Sequence, residues 1–127
     1  MRKLIKYVGI AAGIMFLSNS VSSAQENTVV IEMTNNATYN PAELVVSKGE
    51  KITWTNTSDQ IQTITVRVEQ NQDKQIAYLP DEAEPFSSGA VQPGESFSYT
   101  FYIPGAYEFV SLPNKNKGME GKIIVKD

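Results

Sequence analysis

The stretch FSYTFYIPGAYEF (97–109) sets out a strand, a turn and the start of a second strand within thirteen residues. Phe97, Tyr99, Phe101 and Ile103 alternate with Ser98, Thr100 and Tyr102, the period-two pattern of a strand with one face buried. Pro104-Gly105 interrupts the run with a proline that cannot donate to a sheet ladder and a glycine that turns freely. Tyr107 and Phe109 then resume the alternation.

Working outward, the same period recurs along the chain. Val29, Ile31 and Met33 share a face, as do Ile52 and Trp54, then Ile64, Val66 and Val68, and finally Ile123 and Val125. Lys48-Gly49, Pro93-Gly94 and the Asn-Lys-Gly stretch ending at Gly118 punctuate these runs. Many short strands, no convincing helix and regular turn signals predict an all-β fold, a two-sheet β-sandwich with Greek-key connections. Residues 70–90 break the pattern. They are polar and acidic, with Asp73, Asp81, Glu82 and Glu84, and read as a long connection crossing between the sheets, with a short edge strand at 75–79.

The first 24 residues read differently. Arg2, Lys3 and Lys6 precede a ten-residue apolar run, Val8 to Leu17, and Ser22-Ser23-Ala24 supplies a small-x-small cleavage site. This is the three-part pattern of a secretory signal peptide, with cleavage after Ala24. The run is about half of the roughly 20 residues a membrane-spanning helix needs. A single domain at 25–127 is therefore expected, without membrane insertion after cleavage, in the periplasm or secreted. Cleavage removes three basic residues, so eight Lys and Arg face fourteen Asp and Glu, a net charge of −6 that disfavours nucleic acid and anionic lipid. With no cysteine, no disulfide can staple the fold, and stability must come from an apolar core.

Three longer runs carry a family resemblance. PAELVVSKGEKITWTN (41–56), FSSGAVQPGESFSYTFYIPGAYEF (86–109) and GMEGKIIV (118–125) resemble the plastocyanin and amicyanin branch of the cupredoxins in order and spacing. The resemblance implies a cupredoxin-like sandwich, and it places the four copper-ligand positions. The first histidine position, eight residues after Trp54, is Gln62; the cysteine position is Ser111, the second histidine position Asn114 and the methionine position Met119. Pro113 stands where the family carries a proline before its second histidine. The spacing is kept while three of the four ligands are changed.

The chain contains neither histidine nor cysteine. A blue-copper centre is built from two imidazoles, a thiolate and a weak axial thioether. A neutral amide oxygen and a protonated hydroxyl supply neither the charge nor the softness of that set. Alternation turns Gln62 toward the face of Ile64, Val66 and Val68, and Ser111 toward that of Tyr107 and Phe109. Burying their polar groups without partners costs about 1–3 kcal/mol each. A hydrogen-bonded cluster of Gln62, Ser111 and Asn114 answers that demand and makes the ligand positions a structural plug. The only methionines after processing, Met33 and Met119, read as core.

Three classes of function follow. The favoured one is a copper-free binding or accessory module, without cofactor and not redox active by itself, that works as a monomer with an exported protein partner not identified by the sequence. In proteins it resembles, partners dock where the ligand loop emerges, which here implies a rim of Ile61, Leu112, Pro113 and Asn114 with Lys115 and Lys117 beside it. The acidic group Asp81, Glu82 and Glu84 reads first as a solvated loop and second as a docking patch. The alternative is an electron-transfer or copper-handling protein of the plastocyanin or amicyanin type using a non-standard site. Enzyme chemistry finds least support, because Ser111 has no histidine to activate it and no carboxylate pair sits at an identifiable strand end.

Overall fold

The computed structural model describes residues 28–127. The expected leader at 1–24 lies outside the described residues. Ten strands follow in chain order: β1 (Val29–Met33), β2 (Tyr39–Asn40), β3 (Glu43–Ser47), β4 (Lys51–Asn56), β5 (Thr65–Val66), β6 (Val68–Asn71), β7 (Lys74–Ala77), β8 (Ser96–Thr100), β9 (Gly105–Val110) and β10 (Glu120–Lys126). Two four-stranded sheets, ordered β3-β10-β9-β5 and β2-β1-β4-β8, make the sandwich, and β6 and β7 form a separate ribbon. The pairs β1-β4 and β3-β10 are parallel; the others are antiparallel.

Alternation decides which side chains meet between the sheets. Ile31 and Met33 of β1 and Ile52 and Trp54 of β4 face Tyr107 and Phe109 of β9 and Ile123 and Val125 of β10, all buried. Phe109 stands at the centre, edge-on to Tyr39 at 4.8 Å and to Trp54 at 5.5 Å between ring centroids. It lies opposite Gly121 in the ladder, where a Cβ would collide with its ring. The Trp54 indole N–H is the one buried side-chain donor without a partner among the described residues.

Three expectations need correction. The strand beginning at Phe97 ends at Thr100 rather than at Ile103. Beyond it, Phe101 stays buried and its carbonyl accepts from Gly49 N–H at 2.6 Å, so the backbone leaves its sheet partner for the turn after β3. Pro104 then ends any ladder, and Tyr107 Oη donates to Ile103 O at 2.6 Å, a tyrosine that ties the corner to its own strand.

The acidic connection is more ordered than its composition suggests. The expected edge strand at 75–79 is found as β7, which pairs with β6 in a hairpin and with neither sheet. Arg67 anchors the base of this ribbon, its guanidinium bonding Glu69 and, at 2.7 Å, Glu108, while stacking 4.4 Å from the Tyr78 ring. The hydrogen bond from Arg67 holds the exposed Glu69 carboxyl below its ordinary range, a contribution present above the unfolded pKa and lost as pH falls through the folded one. Downstream, Ser87 and Val91 bridge singly to Thr65 and Gln62, zipping the returning chain along the strand it left.

A helical turn is also present. Leu112–Lys117 forms a 3-10 helix with Pro113 in its first turn, kinked at Asn114 and ended by Gly118 at φ 78°. Proline's fixed φ suits a helix start and glycine the left-handed end, so a short turn fits between β9 and β10.

Tyr39 crosses the sandwich to hold the loop before β5, its phenol donating to Thr63 O at 2.6 Å. Burial pushes this phenol far above the ordinary range. Burial also raises Tyr107. A raised folded pKa means stability present below the unfolded value, about 10, and lost as pH rises toward the folded one. The urea midpoint should therefore fall above about pH 10, and Tyr39→Phe should make that fall shallower. Equal slopes for the two proteins would remove Tyr39 as a cause.

Candidate functional site

At one end of the sandwich the chain brings Gln62, Ser111, Asn114 and Met119 together. Gln62 lies on the segment before β5, tied by its backbone to Val91 through N–H···O bonds of 3.1 and 2.8 Å. Ser111 follows β9, Asn114 sits in the 3-10 turn, and Met119 precedes β10. Backbone bonds close this loop on itself: Asn114 N to Ser111 O at 3.0 Å, Ser111 N to Met119 O at 3.2 Å and Met119 N to Asn114 O at 3.3 Å. The four residues are 1%, 0%, 4% and 0% exposed, in the order named first.

Their polar groups are used on one another. Gln62 Oε1 accepts from Ser111 Oγ at 2.7 Å and from Asn114 Nδ2 at 3.0 Å. Ser111 Oγ in turn accepts from Thr63 N at 3.0 Å. Asn114 Nδ2 also stands 3.8 Å from Met119 Sδ. Gln62 Nε2 donates to Ser58 Oγ at 3.1 Å, and Ser58 Oγ donates to Asn56 Oδ1 at 2.6 Å. Asn56 Nδ2 completes the run on Val91 O at 2.9 Å and Gln60 O at 2.7 Å.

Asn56 and Ser58 are not among the residues the sequence points to. Asn56 could have been found, because alternation places it on the buried face of Ile52 and Trp54; Ser58 carries no such mark.

Of the four residues named for a docking rim, three lie at the surface. Ile61 is 42% and Leu112 54% exposed, and Pro113, Lys115 and Lys117 are exposed beside them. Asn114 does not belong to it. The kink in the 3-10 turn at φ −116° and ψ 20° accompanies an asparagine whose amide is bonded inward, so the rim is reduced to Ile61, Leu112 and Pro113.

A family model of copper-binding proteins of the plastocyanin/azurin family matches residues 25–126. The chain belongs to that family. It is 27% identical over 124 residues to a chloroplastic plastocyanin of Tetradesmus obliquus, covering 96% of this chain and 83% of the relative. Among solved structures, a pseudoazurin from Methylobacterium extorquens AM1 superposes with a TM-score of 0.64 at 21% identity, over 80% of this chain and 76% of that one. An oxidized amicyanin mutant gives a TM-score of 0.58 at 18% identity, over 77% and 81%. The cupredoxin sandwich expected from the sequence is thereby established.

Membership raises the question of copper, and the residues at the site do not fit it. Gln62 Oε1 already accepts two hydrogen bonds, and Asn114 turns its N–H group toward it, which is a donor and not a ligand. Ser111 keeps its proton in the bond to Gln62. Only the Met119 thioether matches a copper donor, the weak axial one. Among the described residues no group of three His, Cys, Asp or Glu could hold a metal ion. Among the described residues, too, no helix is long and apolar enough to cross a membrane.

Proposed function

We propose that this chain is an exported, copper-free member of its family that acts as a binding or accessory module and not as an electron carrier or enzyme. One observation carries the reading: Gln62, Ser111 and Asn114 hydrogen-bond to one another at the ligand positions, which supply no thiolate, imidazole or carboxylate. Support for export comes from the sequence of residues 1–24, a basic segment followed by an apolar run and a small-residue cleavage site. The mature domain then works as a monomer in the periplasm or outside the cell.

Copper titration of the purified mature domain, residues 25–127, tests this directly. The expected result is a colourless protein whose melting temperature is unmoved by Cu(I) or Cu(II). A native-state ligand at a hundredfold excess over its dissociation constant would add about 2.7 kcal/mol. A rising melting temperature with stoichiometric retention of metal would overturn the copper-free reading in favour of the alternative, an electron-transfer or copper-handling protein of the plastocyanin or amicyanin type using a non-standard site.

The partner is an exported protein that docks on the loop end, where Ile61, Leu112 and Pro113 expose apolar surface next to Lys115 and Lys117. Leu112→Asp places a charge in the middle of that rim on a side chain already open to solvent. With a partner captured from the native exported fraction, this variant should bind about a hundredfold or more weakly, the scale of a central hot spot, with an unchanged melting temperature. Undiminished binding would move the interface elsewhere, to the Asp81–Glu84 segment first.

A further inference from the structure

The hydrogen bonds around Gln62 run in one direction. Ser111 Oγ and Asn114 Nδ2 donate into its carbonyl, its amide N–H donates to Ser58 Oγ, Ser58 donates to Asn56, and Asn56 donates to the Val91 carbonyl. The chain of donors starts in the 111–119 loop and ends on the segment leading to β8. Three stretches of sequence, 56–62, 91 and 111–119, are tied by one side-chain amide. Reversing that amide would set two N–H groups against each other at Asn114 and leave Ser58 Oγ with only the Gln60 N–H as donor, at 3.3 Å, so Asn114 above all dictates its orientation.

We infer that Gln62 is the nexus of a metal-independent clamp, which holds the two loops at this end of the sandwich together in the way a shared ligand ion would. The inference rests on the geometry of the site and not on what the rim binds. Every member and every hydrogen-bond partner is neutral, namely Asn56, Ser58, Gln60, Gln62, Thr63, Val91, Ser111, Asn114 and Met119. The clamp therefore has no charge of its own to titrate.

Backbone amide hydrogen exchange on the purified protein tests the clamp, because a clamp and a mere space-filler differ in where protection is lost. Gln62→Leu keeps much of the volume and removes every polar contact. Its amides at Asn114, Gly118 and Met119 should exchange at least tenfold faster relative to those of β4 and β10, which open only with the whole domain. Ser58→Ala is the sharper case, because no hydrogen bond joins Ser58 to the 111–119 loop, yet loss of its oxygen frees the Gln62 amide to turn. The same loop amides should lose protection selectively there too. A uniform factor across loop and strands, or no change in the loop, would overturn the clamp in either variant.

Gln62→Glu supplies a third readout that a packing role would not move. As a carboxylic acid, the new side chain can accept from Ser111 and Asn114 and donate to Ser58; as a carboxylate it cannot donate. Burial raises its folded pKa, so loop protection should match wild type at the same pH below about 4.3 and be lost as pH rises through the folded value. Protection in Gln62→Glu that follows wild type at every pH would refute the directional network.

Discussion

The triple variant Gln62→His, Ser111→Cys, Asn114→His should bind copper and show intense visible absorption from thiolate-to-Cu(II) charge transfer. The side chains to be replaced already converge: Ser111 and Asn114 reach the same Gln62 oxygen at 2.7 and 3.0 Å, and Met119 Sδ lies 3.8 Å from Asn114 Nδ2. Substitution would turn that contact set into two imidazoles, a thiolate and an axial thioether. Without metal the triple variant should be less stable than wild type, since the hydrogen bonds to Gln62 are gone. Copper at a hundred times the dissociation constant should then return about 2.7 kcal/mol. Wild type and every variant lacking Cys at position 111 should stay colourless. A folded triple variant that takes up no copper would show that the backbone here has departed from the family's ligand geometry, and the assignment of these four positions would go with it.

Phe109→Ala should remove the centre of the core and lower stability by about 3–5 kcal/mol. That is a large share of the roughly 5–15 kcal/mol by which such a domain is stable, and at this size each kcal/mol lowers the melting temperature by about 4–8 °C. The ring is wedged between Tyr39, Trp54 and the open position at Gly121. Gly121→Ala by itself should cost about 1–3 kcal/mol, because its Cβ runs into that ring. Together the two changes should cost clearly less than their sum, since the alanine methyl enters the space the ring vacates. Strict additivity in a double-mutant cycle by urea unfolding would show that ring and glycine do not compete for one volume.

Both sheets are readable from alternation because each has one dry face. Ile52 and Trp54, Tyr107 and Phe109, and Ile123 and Val125 fall where period two puts them. The convergence of Gln62, Ser111, Asn114 and Met119 is what the cupredoxin resemblance implies, once its motif is counted from Trp54 and along the 111–119 loop. What stays hidden depends on contacts between segments far apart in sequence. The β6-β7 hairpin turns through Gln72 at φ 56°, with no glycine to announce it, and its anchor draws Tyr78 and the distant Glu108 onto Arg67 beside the neighbouring Glu69. Sequence alone places Asn114 both in the buried cluster and on the exposed rim. A single side chain cannot serve both, and the amide bond to Gln62 decides for the interior. Ser58 escapes notice because a serine in a polar loop looks the same whether or not a buried amide ends on it.

The clamp around Gln62 also bears on biogenesis. A cupredoxin whose loop end is held by an ion reaches its final form only once that ion is bound, so its maturation is tied to a copper supply. Here the loop end closes on groups carried by the chain itself. On the copper-free reading proposed above, the loop end needs no ion to close, and the yield of the domain should be indifferent to copper starvation or chelators during growth.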